Sequence, residues 1–226
     1  RAVDEIGVDV VPGTVRSLVL ARMDVLEPAD TRALRAAAVL GQRLSIAALR
    51  HLLDDPDYNC EALLKEVFLL RDGDEFMFAH ALVRDAIYTS LLKSERAALH
   101  RCAAAWFHTT DPILGAEHLD RAADPTAPAA YLAASGAEAA RFHFAQVARL
   151  AARGIELATT GDELFELSCI HGEALRKIGR TEDSIGAFRS AIDHSASPAN
   201  SSRAQIGLAE ALSITDRYQE ALTELD

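Results

Sequence analysis

The feature that most constrains this chain is a 37-residue period in its second half. Glu173-Ala174-Leu175 recurs as Glu210-Ala211-Leu212, and Gly179-Arg180-Thr181 meets Asp216-Arg217-Tyr218. At the same shift Ile185 meets Leu222 and Phe188 meets Leu225. Stepping back by one period, Gly154-Ile155 meets Ala191-Ile192, and Ala137 meets Ala174. A unit of this length holds a helix, a turn and a second helix, with small residues where the helices approach. One such unit cannot bury its apolar face alone, so successive units must stack into a curved surface.

Residues 111–226 are therefore expected to form a tetratricopeptide-like array with slightly long turns. Its inner face is expected from the first helix of each unit, around Ala137, Ala174 and Ala211. That face is the expected site for a protein or small-ligand effector. Ile113–Ala122 reads as a short helix leading in, and Asp124-Pro-Thr-Ala-Pro128 as a turn before a helix at Ala129.

The first half is organised differently. Phe76 and Phe78 alternate with Met77, the period of a strand, and from Ala79 the apolar positions Leu82, Ile87, Leu91 and Leu92 take helical spacing. Just upstream, Asp72-Gly73 is a hairpin-turn signal. Residues 1–10 read as a frayed end. Pro12-Gly13-Thr14 starts a helix to about Leu26, with Val15, Leu18, Val19 and Met23 on one face. Pro28 starts a second helix that Gly41 stops, Ser45 caps a third through Leu53, and Cys60–Leu70 is the fourth. A long amphipathic helix over Ser94–His108 closes the domain, with Trp106 and Phe107 in its core. A β-hairpin among helices is the wing of a winged-helix domain, here over residues 1–110. The fold class is all-α with that one small hairpin, followed by the helical array.

Charge argues against nucleic acid. The net charge is −11, and residues 1–110 carry 13 basic against 16 acidic side chains. A winged helix that grips DNA needs a basic face to displace phosphate counterions. The helix before the wing offers Lys65 alone against Glu61 and Glu66. No apolar run approaches the ~20 residues that cross a bilayer, and no membrane partner is expected. Arg1-Ala-Val-Asp-Glu reads as a cut inside a longer protein. Cys60, Cys102 and Cys169 are odd in number and far apart, which suits buried free thiols in the cytoplasm.

Chemistry-bearing patterns are sparse. Neither Gly-x-x-x-x-Gly-Lys-Ser/Thr nor Gly-x-Gly-x-x-Gly occurs, so these residues have no backbone nest for a triphosphate. Eight histidines invite a metal reading, but no His-Glu-x-x-His or paired-cysteine spacing is present. His100 and Cys102 share a helix yet point about 200° apart. No nucleophile–histidine–acid constellation emerges, and the chain is expected to be non-catalytic with no metal. His80 stands apart because it falls where the wing's return strand becomes a helix. Free N–H groups and partial positive charge at a helix start suit a phosphate. The plainer alternative is that His80 only caps or packs there. Arg84 and Tyr88 follow on one face of that helix and are expected to bond within this domain or to a neighbouring one.

Four segments taken together resemble one family: Pro12–Leu26, Leu34–Gly41, Phe78-Ala-His-Ala-Leu-Val-Arg-Asp-Ala-Ile-Tyr88, and Leu99-His100. They are similar to the signal-transduction ATPases with numerous domains (STAND). The bacterial type in question follows an adenylate/guanylate cyclase domain or precedes a LuxR-type DNA-binding domain. Asp111–Ala122 looks closest to the cyclase-linked members. The resemblance implies an upstream P-loop ATPase domain binding ADP or ATP, with this winged helix packed on it and the repeats sensing an effector. It also implies that His80 contacts the ADP β-phosphate, although Ala79 and Ala81 replace the Met and Asp of the better-known Met-His-Asp form. No cofactor belongs to these residues alone. The chain is thus expected to be a regulatory part of a cytoplasmic ATPase with a cyclase output. A LuxR-type transcription activator, or a free-standing repeat scaffold, are the alternatives.

Overall fold

Local chemistry sets several helix starts. A computed structural model describes residues 13–224, and the expectations for residues 1–12, the Val15 side chain and Leu225 lie outside the described residues. Helix α1 spans Gly13–Met23 and α2 Pro28–Leu40, with Pro28 where a missing N–H costs nothing. Gly41 ends α2 at φ +134°. Ser45 caps α3 (Ile46–Leu53) by accepting the Ala48 N–H at 3.1 Å.

The next segment departs from expectation. Helix α4 covers only Glu61–Lys65. Val67 turns into the left-handed region at φ +54°, and Leu69–Asp72 becomes strand β2. Strand β3, Glu75–Phe78, pairs with it antiparallel, Asp72 opposite Glu75. The loop is therefore Gly73-Asp74, one residue beyond the Asp-Gly signal. Its left-handed residue is Gly73, φ +63°, at the first loop position, where type II′ turns place glycine. A two-residue strand β1, Arg43–Leu44, pairs with the other edge of β3 and makes the hairpin a three-stranded sheet in the order β1-β3-β2. Helices α5 (Ala81–Ser90) and α6 (Lys93–Thr110) follow.

The chain divides into two compact units between Trp106 and Phe107. The first is built on Leu34, Leu49, Leu63, Phe68, Phe78 and Ile87, all fully buried. Leu18 does not join this core and is 64% exposed, whereas Val19 and Met23 are buried. Trp106 is half-buried with its ring 5.2 Å from His51, rather than central.

The second unit is a run of antiparallel helices: α7 (Pro112–Arg121), α8 (Ala127–Ala140), α9 (Phe144–Leu157), α10 (Gly161–Lys177), α11 (Thr181–Asp193), α12 (Pro198–Ile214) and α13 (Tyr218–Thr223). The 37-residue period recurs in the backbone. Phe142, Gly179 and Asp216 all take left-handed φ, at +62°, +78° and +59°. One residue later the N–H of His143, Arg180 and Arg217 returns to the carbonyl of Glu138, Leu175 and Leu212. This is the six-to-one bond of a Schellman stop, repeated in three turns.

Helix approach depends on missing side chains. A Cβ on Gly154 would meet Leu167 at 2.7 Å, and one on Gly207 would meet Phe188 at 2.3 Å. The first helices of successive pairs, α8, α10 and α12, approach one another directly. Ala174 and Ala211 do not line an open inner face. Both are buried, Ala174 in a cluster with Val147 and Ala148 of α9, and Ala211 in one with Ile185 and Phe188 of α11 and Ala221 of α13. Cys102 is exposed, contrary to the expectation of buried thiols, while Cys60 is buried and Cys169 half-buried.

Candidate functional site

His80 is placed by backbone pairing. Phe78, two residues before it, is fully buried. The Phe78 N–H donates to the Gln42 carbonyl at 2.9 Å, and Gln42 Nε2 donates back to the Phe78 carbonyl at 2.8 Å. Ala79 N–H then bonds the Phe68 carbonyl at 3.0 Å. The strand is thus held on both sides up to the residue before His80. His80 itself is extended, φ −146° and ψ 134°, in the N-cap position of α5. Its carbonyl accepts the N–H groups of Val83 and Arg84.

The imidazole does neither of the structural tasks open to it. It makes no capping hydrogen bond, and the residue is exposed rather than packed. A polar ring stands free at a helix start where backbone N–H groups lack intrahelical acceptors. Chemically, such a ring can donate to an anionic oxygen that approaches from outside the unit.

The residues after it are committed inward. Arg84 Nε donates to the Ala38 carbonyl at 3.0 Å, tying α5 to α2, and its Nη1 meets Asp85 at 2.9 Å. The guanidinium groups of Arg84 and Arg96 lie 5.2 and 5.1 Å from the Tyr88 ring centre. The Tyr88 hydroxyl bonds Nε2 of the buried His100 at 2.8 Å. Arg84 and Tyr88 therefore act within their own unit and stiffen the helix that His80 begins. Gln42 had no signal in the sequence, because its role exists only once β1 pairs with β3.

Elsewhere, among the described residues, no three His, Cys, Asp or Glu side chains converge as a metal site. No described helix is long and apolar enough to cross a membrane. In the second unit Glu138 is nine-tenths buried and bonded to both Arg141 and His143 at 2.8 Å. Those bonds, the one from His143 foremost, hold its carboxyl below the usual range. Glu138 thus locks the α8–α9 turn.

No family model matches the sequence, and no curated protein does. Among solved structures, a signal transduction ATPase with numerous domains with a tetratricopeptide repeat sensor, from Pyrococcus horikoshii, is similar at 9% identity and a TM-score of 0.44. The match covers 99% of this chain and 47% of that one, so the chain spans about half the length of that protein.

Proposed function

We propose that this chain is the non-catalytic sensor and regulatory part of a STAND-type ATPase, coupling effector binding on its helical repeats to the nucleotide state of an upstream P-loop domain. The first unit is read as a winged helix. Its order α2, β1, α3, α4, β2, β3 and its strand order β1-β3-β2 support that reading. The five-residue α4, bearing Glu61 and Lys65, suits a unit that packs on protein rather than on DNA. A nucleotide-cyclase output rests on the resemblance of the Asp111–Ala122 segment to cyclase-linked members.

The observation that carries the proposal is the His80 imidazole, exposed and without a cap bond, at the end of a strand clamped by Gln42 and Phe68. In this reading it donates to the ADP β-phosphate across the contact with the ATPase domain and stabilises the closed state.

A hydrogen bond to a charged group contributes about 1.5–3 kcal/mol. Its loss shifts the closed–open equilibrium about ten- to a hundredfold. His80→Ala, in the protein carrying its ATPase domain, is therefore expected to loosen ADP by that factor and raise basal output. The thermal midpoint of the present chain should stay where it is, since the residue is exposed and its ring makes no capping bond. Unchanged ADP affinity together with unchanged output rejects the assignment.

A further inference from the structure

Helices α9 and α11 leave a groove between them, floored by α10, with a volume of about 460 Å³. Ser168 and His171 form the polar part of the floor, and Ala152, Ile155, Gly186 and Ala187 line the sides. Ser168 is 0% exposed, and its hydroxyl has no hydrogen-bond partner. Its own burial and, secondarily, Arg180 hold the His171 imidazole below the usual histidine range, which favours the neutral form. A neutral imidazole offers one donor and one acceptor.

The repeat supplies an internal control. One period on, Arg189 stands where Ala152 stands, Thr223 replaces Gly186, and Leu208 replaces His171. Arg189 reaches Glu220 at 3.8 Å, and Leu208 is fully buried beside Phe188 and Leu212. The corresponding place in the next unit thus has an ion pair at its wall and Leu208 in place of the imidazole, with Gln205 in place of Ser168. In the first groove the large side chain is missing and the floor is polar. Charge at its rim is already balanced, because Arg180 bonds Asp183 at 2.7 Å and Glu182 meets Arg217 at 3.5 Å.

We infer that the α9–α11 groove is a binding site for a small uncharged ligand with a flat apolar body and a donor–acceptor group such as a carboxamide. The apolar body lies between Ile155 and the small side chains of α11, and the carboxamide meets His171 and, once the floor opens over it, the buried Ser168 hydroxyl. The inference deepens the sensor reading and rests on it for its purpose, because it gives the effector a place on the repeats. Binding itself depends only on the second unit.

The test is a titration of the isotopically labelled chain with benzamide, followed by backbone amide shifts. Saturable shifts at Ser168, His171 and Gly186, with a millimolar Kd, are expected for so small a probe. Benzoate and benzylamine, which are charged, should bind at least about tenfold more weakly, because Arg180, Glu182 and Asp183 at the rim are already paired. Ala152→Arg, the residue of the next unit, should abolish the saturable shifts, and Ser168→Ala should weaken them about three- to tenfold. Far-UV dichroism checks the fold of each variant, and Gly186→Thr serves if Ala152→Arg does not fold. No saturable shift up to about 50 mM benzamide, shifts mapping elsewhere, equal binding of benzoate, or undiminished binding to the folded filled-groove variant each overturns the inference. Benzamide binding together with unchanged ADP affinity in His80→Ala would retain the site and reject the sensor reading. The reverse pair of results would retain the sensor reading and reject the site.

Discussion

Replacing Gly207 by alanine should destabilise the protein, although alanine is the better helix former. Helix propensity alone favours Gly207→Ala by about 1 kcal/mol. The new Cβ, however, would lie 2.3, 2.5 and 2.8 Å from Cε1, Cζ and Cδ1 of Phe188. Carbon contacts are comfortable only at ~3.5–4.0 Å, so the ring must retreat by about 1 Å or more. Its far edge already lies close to Gly172, where a Cβ would stand 3.0–3.1 Å from Cε2, Cδ2 and Cζ. Phe188 is also 4% exposed, so turning it outward forfeits its burial. Overpacking of this kind costs about 1–3 kcal/mol, and expelling a phenylalanine costs at least as much. With the helix term subtracted, a net loss of up to about 2 kcal/mol remains, or up to roughly 8 °C in thermal midpoint for a chain of this size. Urea unfolding followed by far-UV dichroism measures it. Gly136→Ala is the control, since nothing lies within 4 Å of its Cβ position, and it should stabilise by about the propensity difference. Adding Phe188→Leu to Gly207→Ala should recover part of the loss, because the ring is the clashing group. A Gly207→Ala variant as stable as the parent would refute the argument.

His118 is 1% exposed and stacked on Phe107 at 5.5 Å, and burial, then Arg121, push its pKa down to about 4 from 6.5. Because the unfolded chain takes up this proton first, stability should be full above about pH 6.5 and decline toward pH 4, by up to about 3 kcal/mol. His118→Leu should flatten that limb, and a parent–variant difference independent of pH would contradict it. Phe142 holds a left-handed φ of +62° while 78% exposed, at a position where the next repeat has Gly179. Phe142→Gly should therefore raise the urea midpoint by about 0.5–1 kcal/mol of stability, relief of backbone crowding outweighing glycine's entropy. A lowered midpoint would show that the edge-on contact with Phe144 at 6.1 Å matters more.

What the sequence determined by itself was local or periodic. Pro28, Gly41 and Ser45 mark the ends of α2 and the start of α3 because caps and stops depend on a few neighbouring residues. The 37-residue period places α9 and α10 in register with α11 and α12, since each unit repeats the same turn chemistry. The strand-to-helix change before Ala81 and the turn near Gly73 were legible for the same reason. His80 could be singled out from its place at that junction, but not the freedom of its ring from capping and packing. Tertiary structure alone decided the rest. Apolar spacing carries a helix through Leu70, yet α4 stops at Lys65 because Leu69 and Leu70 pair with Phe78 and Met77. Strand β1 is two residues long and exists only through its partner on β3. Ala174 and Ala211 share a helix face that the period marks, but neighbouring helices cover it. Caps and turns are written within about four residues of chain, whereas pairing and burial depend on surfaces brought together from far along it.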